Sequence, residues 1–223
     1  GNIEPEAKEF SDQELVADRL LACLPSMLIY WHRYHQDGKK INVLTDDNSI
    51  SGHFLHMLHD RPPSELHRKT LDTTLILYAE HEFNASTFTG RVITATLSDM
   101  HSAITGAIGA LRGALHGGAN EAAMALIEKY KNADEATQGI RSLLQRKQKI
   151  MGFGHRVYTT SDPRNSVNKK MSKILSEETR DKTLYAVSEA IESVMWDEKK
   201  LFANADFYAA SVYCFMGIPT YLF

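Results

Sequence analysis

Apolar residues recur at three- and four-residue spacing through most segments of the chain, and convincing period-two alternation is scarce. A chain patterned this way buries its apolar faces as packed helices, so the sequence predicts an all-α protein. In the first half the helix candidates are "DQELVADRLLACLPSMLIYWHRYH", which Pro25 should kink or divide, and "SELHRKTLDTTLILYAEHEF", with Ser64 as N-cap after Pro62-Pro63. The third is "STFTGRVITATLSDMHSAITGAIGALRG". In the second half "ANEAAMALIEKYK", "DEATQGIRSLLQRKQ", "RNSVNKKMSKILSEE", "DKTLYAVSEAIESVMW" and "DFYAASVYCFMG" repeat the pattern. Only "INVLTDDNS" reads as a short strand or an irregular turn.

One helix candidate is unusual for a soluble chain. Between Ala103 and Ala114, Gly106, Gly109 and Gly113 join Ala103, Ala107, Ala110 and Ala114 in a surface almost without side chains. Each glycine costs a helix interior on the order of 1 kcal/mol against alanine, so the run needs a packing reason. A deeply buried central helix and an interface between subunits both supply one; the second is favoured.

Composition narrows the classes. Hydrophobic content of 43% and charged content of 24% are those of an ordinary globular chain. A net charge of −3 gives no electrostatic case for nucleic acid or an anionic membrane surface. Cys23 and Cys214 are far apart and form no C-x-x-C, so they read as reduced core residues rather than a zinc site or disulfide. The start "GNIEPEAKEF" lacks a signal-peptide run, and Asp99, His101 and Arg112 interrupt the most apolar region. The expectation is a soluble cytoplasmic protein with no membrane span.

Most of the ten histidines call for no chemistry. His53, His56 and His59 share i, i+3 spacing, yet no carboxylate lies among them at ligand spacing, and no metal is expected. His116 differs: "LHGGAN" leaves one helix, turns on Gly117-Gly118, and starts another near Asn120. Paired glycines allow positive φ and close backbone approach. His116 can therefore donate to a developing oxyanion, or simply cap a helix end, and local sequence leaves both open. His155 follows two glycines in "GFGHRVYTTSDPR", a loop able to lie against a ligand but lacking the third glycine and the strand of a dinucleotide fingerprint. In "DPR", Pro163 suits a helix start and Arg164 offers a fork for a carboxylate, or Asp162 is an N-cap beside a surface arginine. Asp206 is an N-cap or a base held ionised by a helix N-terminus, and His81 lies where an apolar helix ends.

Together, "AEHEFNAS", "LHGGANE", "GFGHRVY" with "DPR", and "NADFYAASVY" resemble the citrate synthase family in order and approximate spacing. The resemblance covers essentially the whole chain. "EHEFNASTFTGR" and "GALRGALHGGANEAAM" look more like the bacterial 2-methylcitrate synthase branch. The resemblance implies a multihelical two-domain fold: residues 1–118 in a large domain, 119–209 as a small domain that closes over it, and 210–223 returning to the large one. It also implies a homodimer through the Gly/Ala-rich helix 86–113.

The activity implied is an acyltransferase that condenses propionyl-CoA with oxaloacetate. Asp206 would take a proton from the carbon α to the thioester, His116 would hydrogen-bond the thioester oxygen, and His155 would give a proton to the keto oxygen. His81 and Arg164 would bind oxaloacetate, while Leu115, Gly152, Phe153 and Asn204 would meet coenzyme A. The thioester is a co-substrate, and no permanent cofactor or metal is implied. The chain departs from the pattern by looking incomplete at both ends, where relatives carry further dicarboxylate arginines, and by offering Thr159 and Thr160 where some carry a basic residue. Citrate synthase acting on acetyl-CoA, and an inactive helical dimerisation fragment, are the alternatives.

Overall fold

The computed structural model describes residues 11–223; the stretch Gly1–Phe10 lies outside the described residues. Among the described residues the regular structure is ten α-helices and one 3₁₀ turn, with no strand beyond a single isolated bridge. The all-α expectation holds. The chain divides into two compact units, the first ending at Leu111 and the second running from Arg112 to Phe223.

The first unit contains α1 (Gln13–Asp37), α2 (Ile50–His59), α3 (Glu65–Tyr78), α4 (Ala85–Thr94) and α5 (Met100–Leu111). Helix α1 passes through Pro25 undivided and ends at Gly38, whose φ of 66° lets its N–H reach Tyr34 O at 3.0 Å. Segment 41–49 takes the irregular alternative and leads into α2, a helix absent from the sequence reading, capped by Ser49 Oγ accepting from Gly52 N. Ser64 caps α3 as expected, accepting from His67 N. Ile29, Leu55 and Leu71 are buried where these helices meet. Arg33 is buried too, and its guanidinium donates to Met57 O and Leu58 O, two carbonyls near the end of α2.

On α2, His53 and His56 have side-chain partners within the unit. His53 sits between Ser26 Oγ (2.8 Å) and Thr45 Oγ1 (2.9 Å), and His56 Nδ1 contacts Asp47 at 2.7 Å. Cys23 is exposed on α1, which corrects its reading as a core residue; Cys214 is half-buried and burial pushes its thiol up.

The Gly/Ala-rich helix is two helices, a second correction. Leu97 adopts φ of 63° after α4, and the Asp99 carboxylate accepts from Ser102 N to start α5. The small residues divide their work. A Cβ on Gly90 would lie 3.7 Å from Ala103 O, and one on Gly106 would meet Ile93 Cδ1, so these two glycines bring α4 and α5 close together. A Cβ on Gly109 would meet nothing.

The second unit contains α6 (Gly118–Ile127), α7 (Ala133–Gln145), α8 (Pro163–Glu178), α9 (Thr183–Lys199) and α10 (Ala205–Phe215). Met124, Ile127, Ile140, Val187, Ile191, Phe207 and Tyr208 form one enclosed core. Helix α10 sits at its centre and meets α8 along a polar seam: Ser172 and Ser211 hydroxyls are 2.7 Å apart, and Asn168 Nδ2 donates to Ala205 O. This seam fixes the start of α10, where the candidate chemistry gathers.

Candidate functional site

The loop carrying His155 needs glycine at two points. Gly152 has φ of 87°, and a Cβ there would lie 3.0 Å from the Phe207 side chain; Gly154 has φ of 74°. The left-handed backbone brings this loop against the segment leading into α10, forming the bridge between Phe153 and Ala203. Gly154 N donates to Phe202 O (2.8 Å), Asn204 N to Gly152 O (2.9 Å), and Asn204 Nδ2 to Gly154 O (3.0 Å). The Phe153 and Phe207 rings pack at 4.6 Å.

His155, half-buried, is oriented by its own loop. Val157 N and Tyr158 N point at Nδ1 from 3.0 and 3.2 Å. A backbone N–H can only donate, so Nδ1 carries a lone pair and the ring proton of the neutral imidazole is on Nε2.

Asp162 caps α8 and does more than cap. Its carboxylate is fully buried and accepts from Arg164 Nε (3.0 Å), Arg164 Nη2 (2.9 Å), Arg164 N (3.0 Å) and Ala205 N (2.9 Å). Burial alone would raise its pKa; the hydrogen bonds and charge of Arg164, with the two backbone amides, outweigh that and hold it below the usual carboxylate value. Arg164 also lies against Tyr158, its guanidinium carbon 5.8 Å from the ring centroid.

Asp206 is in the first turn of α10 rather than at its cap. Asn204 is the cap, its Oδ1 accepting from Asp206 N at 3.1 Å. The N-terminal end of the helix favours the ionised carboxylate there. The expected capping role thus moves two residues upstream, since only Asn204 has the extended backbone a cap requires.

Leu115 and His116 lie in the turns before α6, Leu115 80% exposed and His116 half-buried. His116 N donates to Gly113 O (2.8 Å), and its carbonyl accepts from Ala119 N (3.0 Å). The expected sharp glycine turn is not formed: Gly117 is right-handed (φ −56°), and Gly118 already belongs to α6. Glycine matters at 118 for close approach instead, since a Cβ would come within 3.2 Å of Gly113 O. His81 lies in the first unit, in the connection between α3 and α4.

Hydrogen bonds therefore join three sequence-picked segments, those bearing His155, Arg164 and Asp206. Sequence reasoning passed over Asp162 and Asn168 as partners of Ala205, because those pairs are 43 and 37 residues apart and no local pattern links them. Among the described residues no group of three or more His, Cys, Asp or Glu side chains is arranged to hold a metal ion. No described helix is long and apolar enough to cross a membrane.

The family model described as "Citrate synthase, C-terminal domain" matches residues 2–223. Among curated relatives, the 2-methylcitrate synthase of Shewanella oneidensis is 58% identical over 223 residues, which are 100% of this chain and 59% of that protein. The citrate/2-methylcitrate synthase of Bacillus subtilis is 46% identical over 208 residues, 93% of this chain and 56% of that one. Among solved structures, citrate synthase from Thermoplasma acidophilum, in a ternary complex with carboxymethyl coenzyme A and oxaloacetate, superposes with a TM-score of 0.86 at 29% identity, covering 97% of this chain and 58% of that one. Citrate synthase from Pyrobaculum aerophilum gives a TM-score of 0.87 at 33% identity, covering 99% and 56%. The chain thus spans little more than half the length of these relatives.

Proposed function

The chain belongs to the citrate synthase family, and from that premise we propose that its parent protein is a 2-methylcitrate synthase. It condenses propionyl-CoA with oxaloacetate, and water then cleaves the thioester to release 2-methylcitrate and coenzyme A. The carrying observation is the 58% identity to a 2-methylcitrate synthase along the whole chain.

On this reading each candidate residue has a role. The Asp206 carboxylate removes a proton from the carbon α to the thioester, and His116 donates a hydrogen bond to the thioester oxygen as the enol forms. That carbon attacks the keto carbon of oxaloacetate while His155 Nε2–H supplies the proton to the new alkoxide; the two amides on Nδ1 support this tautomer. Arg164 and His81 hold the keto acid. The exposed Leu115, the Gly152–Phe153 turn and Asn204 meet coenzyme A. Residues 119–209 act as a small domain that closes over substrate and excludes water.

The protein works as a cytoplasmic homodimer that pairs through α4 and α5. Supporting this, Gly109 faces open space, α4 buries no residue, and Phe88, Val92, Ile108 and Leu111 are exposed. Citrate synthase acting on acetyl-CoA is the second reading, favoured by relatives of that name such as citrate synthase 2 of Bacillus subtilis at 45% identity. The two acyl groups differ by one methylene, which a pocket discriminates by only about 1–3 kcal/mol. Measuring kcat/KM for both thioesters with the whole protein separates the readings: a preference for propionyl-CoA is expected, and equal or acetyl-favouring values overturn the choice. No oxaloacetate-dependent thiol release from either thioester leaves the inactive-fragment alternative standing.

A further inference from the structure

We propose that Asp162 is a positioning residue that ties the keto-acid arginine, Arg164, to the first turn of the helix bearing the base, Asp206. The inference rests on the function proposed above and adds to it a residue that touches neither substrate. A carboxylate has about four lone-pair sites, and all four here face N–H donors: three from Arg164 and one from Ala205. With its side chain fully buried, Asp162 has no remaining site for substrate or water and is no acid or base of the reaction.

What it does is mechanical. The amide of Ala205 is the first of α10 and has no partner inside the helix, yet Ala205 is only 2% exposed. Asp162 supplies that partner, and Asn168 holds the carbonyl of the same residue, so α8 grips Ala205 at both backbone groups. Asp206 is the next residue, and its direction follows from that grip. On the other side, Asp162 accepts from Nε and Nη2 of Arg164 and so fixes the plane in which its guanidinium lies. One buried charge therefore sets where the keto acid is held and where the carbon acid is deprotonated. Placement errors near 1 Å can cost about a hundredfold in rate, so such a link matters.

The test uses the whole protein and four variants, Asp162→Asn, Asp162→Ala, Arg164→Gln and Ala205→Pro. Three quantities are read: the KM for oxaloacetate, hydrogen exchange at the Ala205 amide, and solvent exchange of the α-hydrogens of propionyl-CoA in the presence of an unreactive four-carbon dicarboxylate. Asp162→Asn and Asp162→Ala should each raise KM about tenfold or more, slow α-hydrogen exchange about tenfold or more, and expose the Ala205 amide. Arg164→Gln should raise KM alone. Ala205→Pro deletes the amide of the second link and puts ring carbon against the Asp162 oxygen it faced, at a position where helices accept proline and after an Asn204 backbone that suits one. It should slow α-hydrogen exchange more than it raises KM, and it carries the test where the Asp162 variants do not fold.

Unchanged α-hydrogen exchange in Asp162→Asn or in Ala205→Pro overturns the proposal, as does a loss of thermal stability alone. Should the wild-type protein release no thiol, the proposed function fails, and the Ala205 amide then decides the remainder: retained protection in Asp162→Ala overturns the link, and lost protection upholds it.

Discussion

In the second unit Ile140, Ile191, Phe207 and Tyr208 are fully enclosed by helices of that same unit, whereas in the first unit α4 buries nothing and Trp31, Ile76 and Phe88 stay exposed. Glycine is used differently as well. At Gly152 it permits a left-handed turn pressed against Phe207, while at Gly109 it faces empty space. The second unit encloses one continuous core and holds its chemistry-bearing segments by hydrogen bonds. In the first unit, α4 and the outer face of α5 leave Phe88, Val92 and Ile108 exposed.

The contrast can be broken first at the level of the cores. Ile191→Ala should cost about 2–5 kcal/mol in urea unfolding, while Ile76→Ala, 73% exposed, should cost about 0.5 kcal/mol or less. Similar losses at both positions would erase the distinction. The glycines give a smaller effect of opposite sign. Gly152→Ala should destabilise by about 1–3 kcal/mol through strain and the Phe207 contact. Gly109→Ala in the isolated chain should stabilise by up to about 1 kcal/mol. In the whole protein, Gly109→Trp should lower the oligomeric mass, and an unchanged mass would overturn the proposed pairing through α5.

Acid should separate the units more gently. Asp162 has a folded pKa below its unfolded value, so the stability it contributes is present above roughly pH 4 and is lost as pH falls through the folded value. Asp162→Asn should therefore flatten the dependence of Tm on pH in that acidic window. Glu65 in the first unit is held near about 2, first by its hydrogen bonds to Arg68 and Lys69, but the group is fully exposed. Glu65→Gln should leave the same curve almost unmoved.

Much of the fold was legible because helices announce themselves locally. Ser64 and the Asp162–Pro163 pair marked two starts, and the apolar stripes of α7 to α9 marked their lengths. Other features depended on energies no short window contains. Helix α2 went unread because Gly52 and three histidines thin its apolar face, and partners 8 to 27 residues away, Thr45, Asp47 and Ser26, satisfy two of those rings. The break after α4 carries neither glycine nor proline; Leu97 takes the left-handed backbone itself. At Gly117-Gly118 sequence allowed both positive φ and close backbone approach, and Gly118 uses the second, packed on Gly113. The candidate residues were individually visible, but their joining was not, since Asp162, Asn168 and Asn204 act across long separations.

The central claim is that the start of α10 carries the base of a condensing enzyme. It is tested most directly by oxaloacetate-dependent thiol release from propionyl-CoA, comparing the whole protein with its Asp206→Ala variant. Removing a positioned base should lower kcat by about 10²–10⁴-fold while oxaloacetate binding stays near normal. Turnover by Asp206→Ala at close to the wild-type rate would contradict the account.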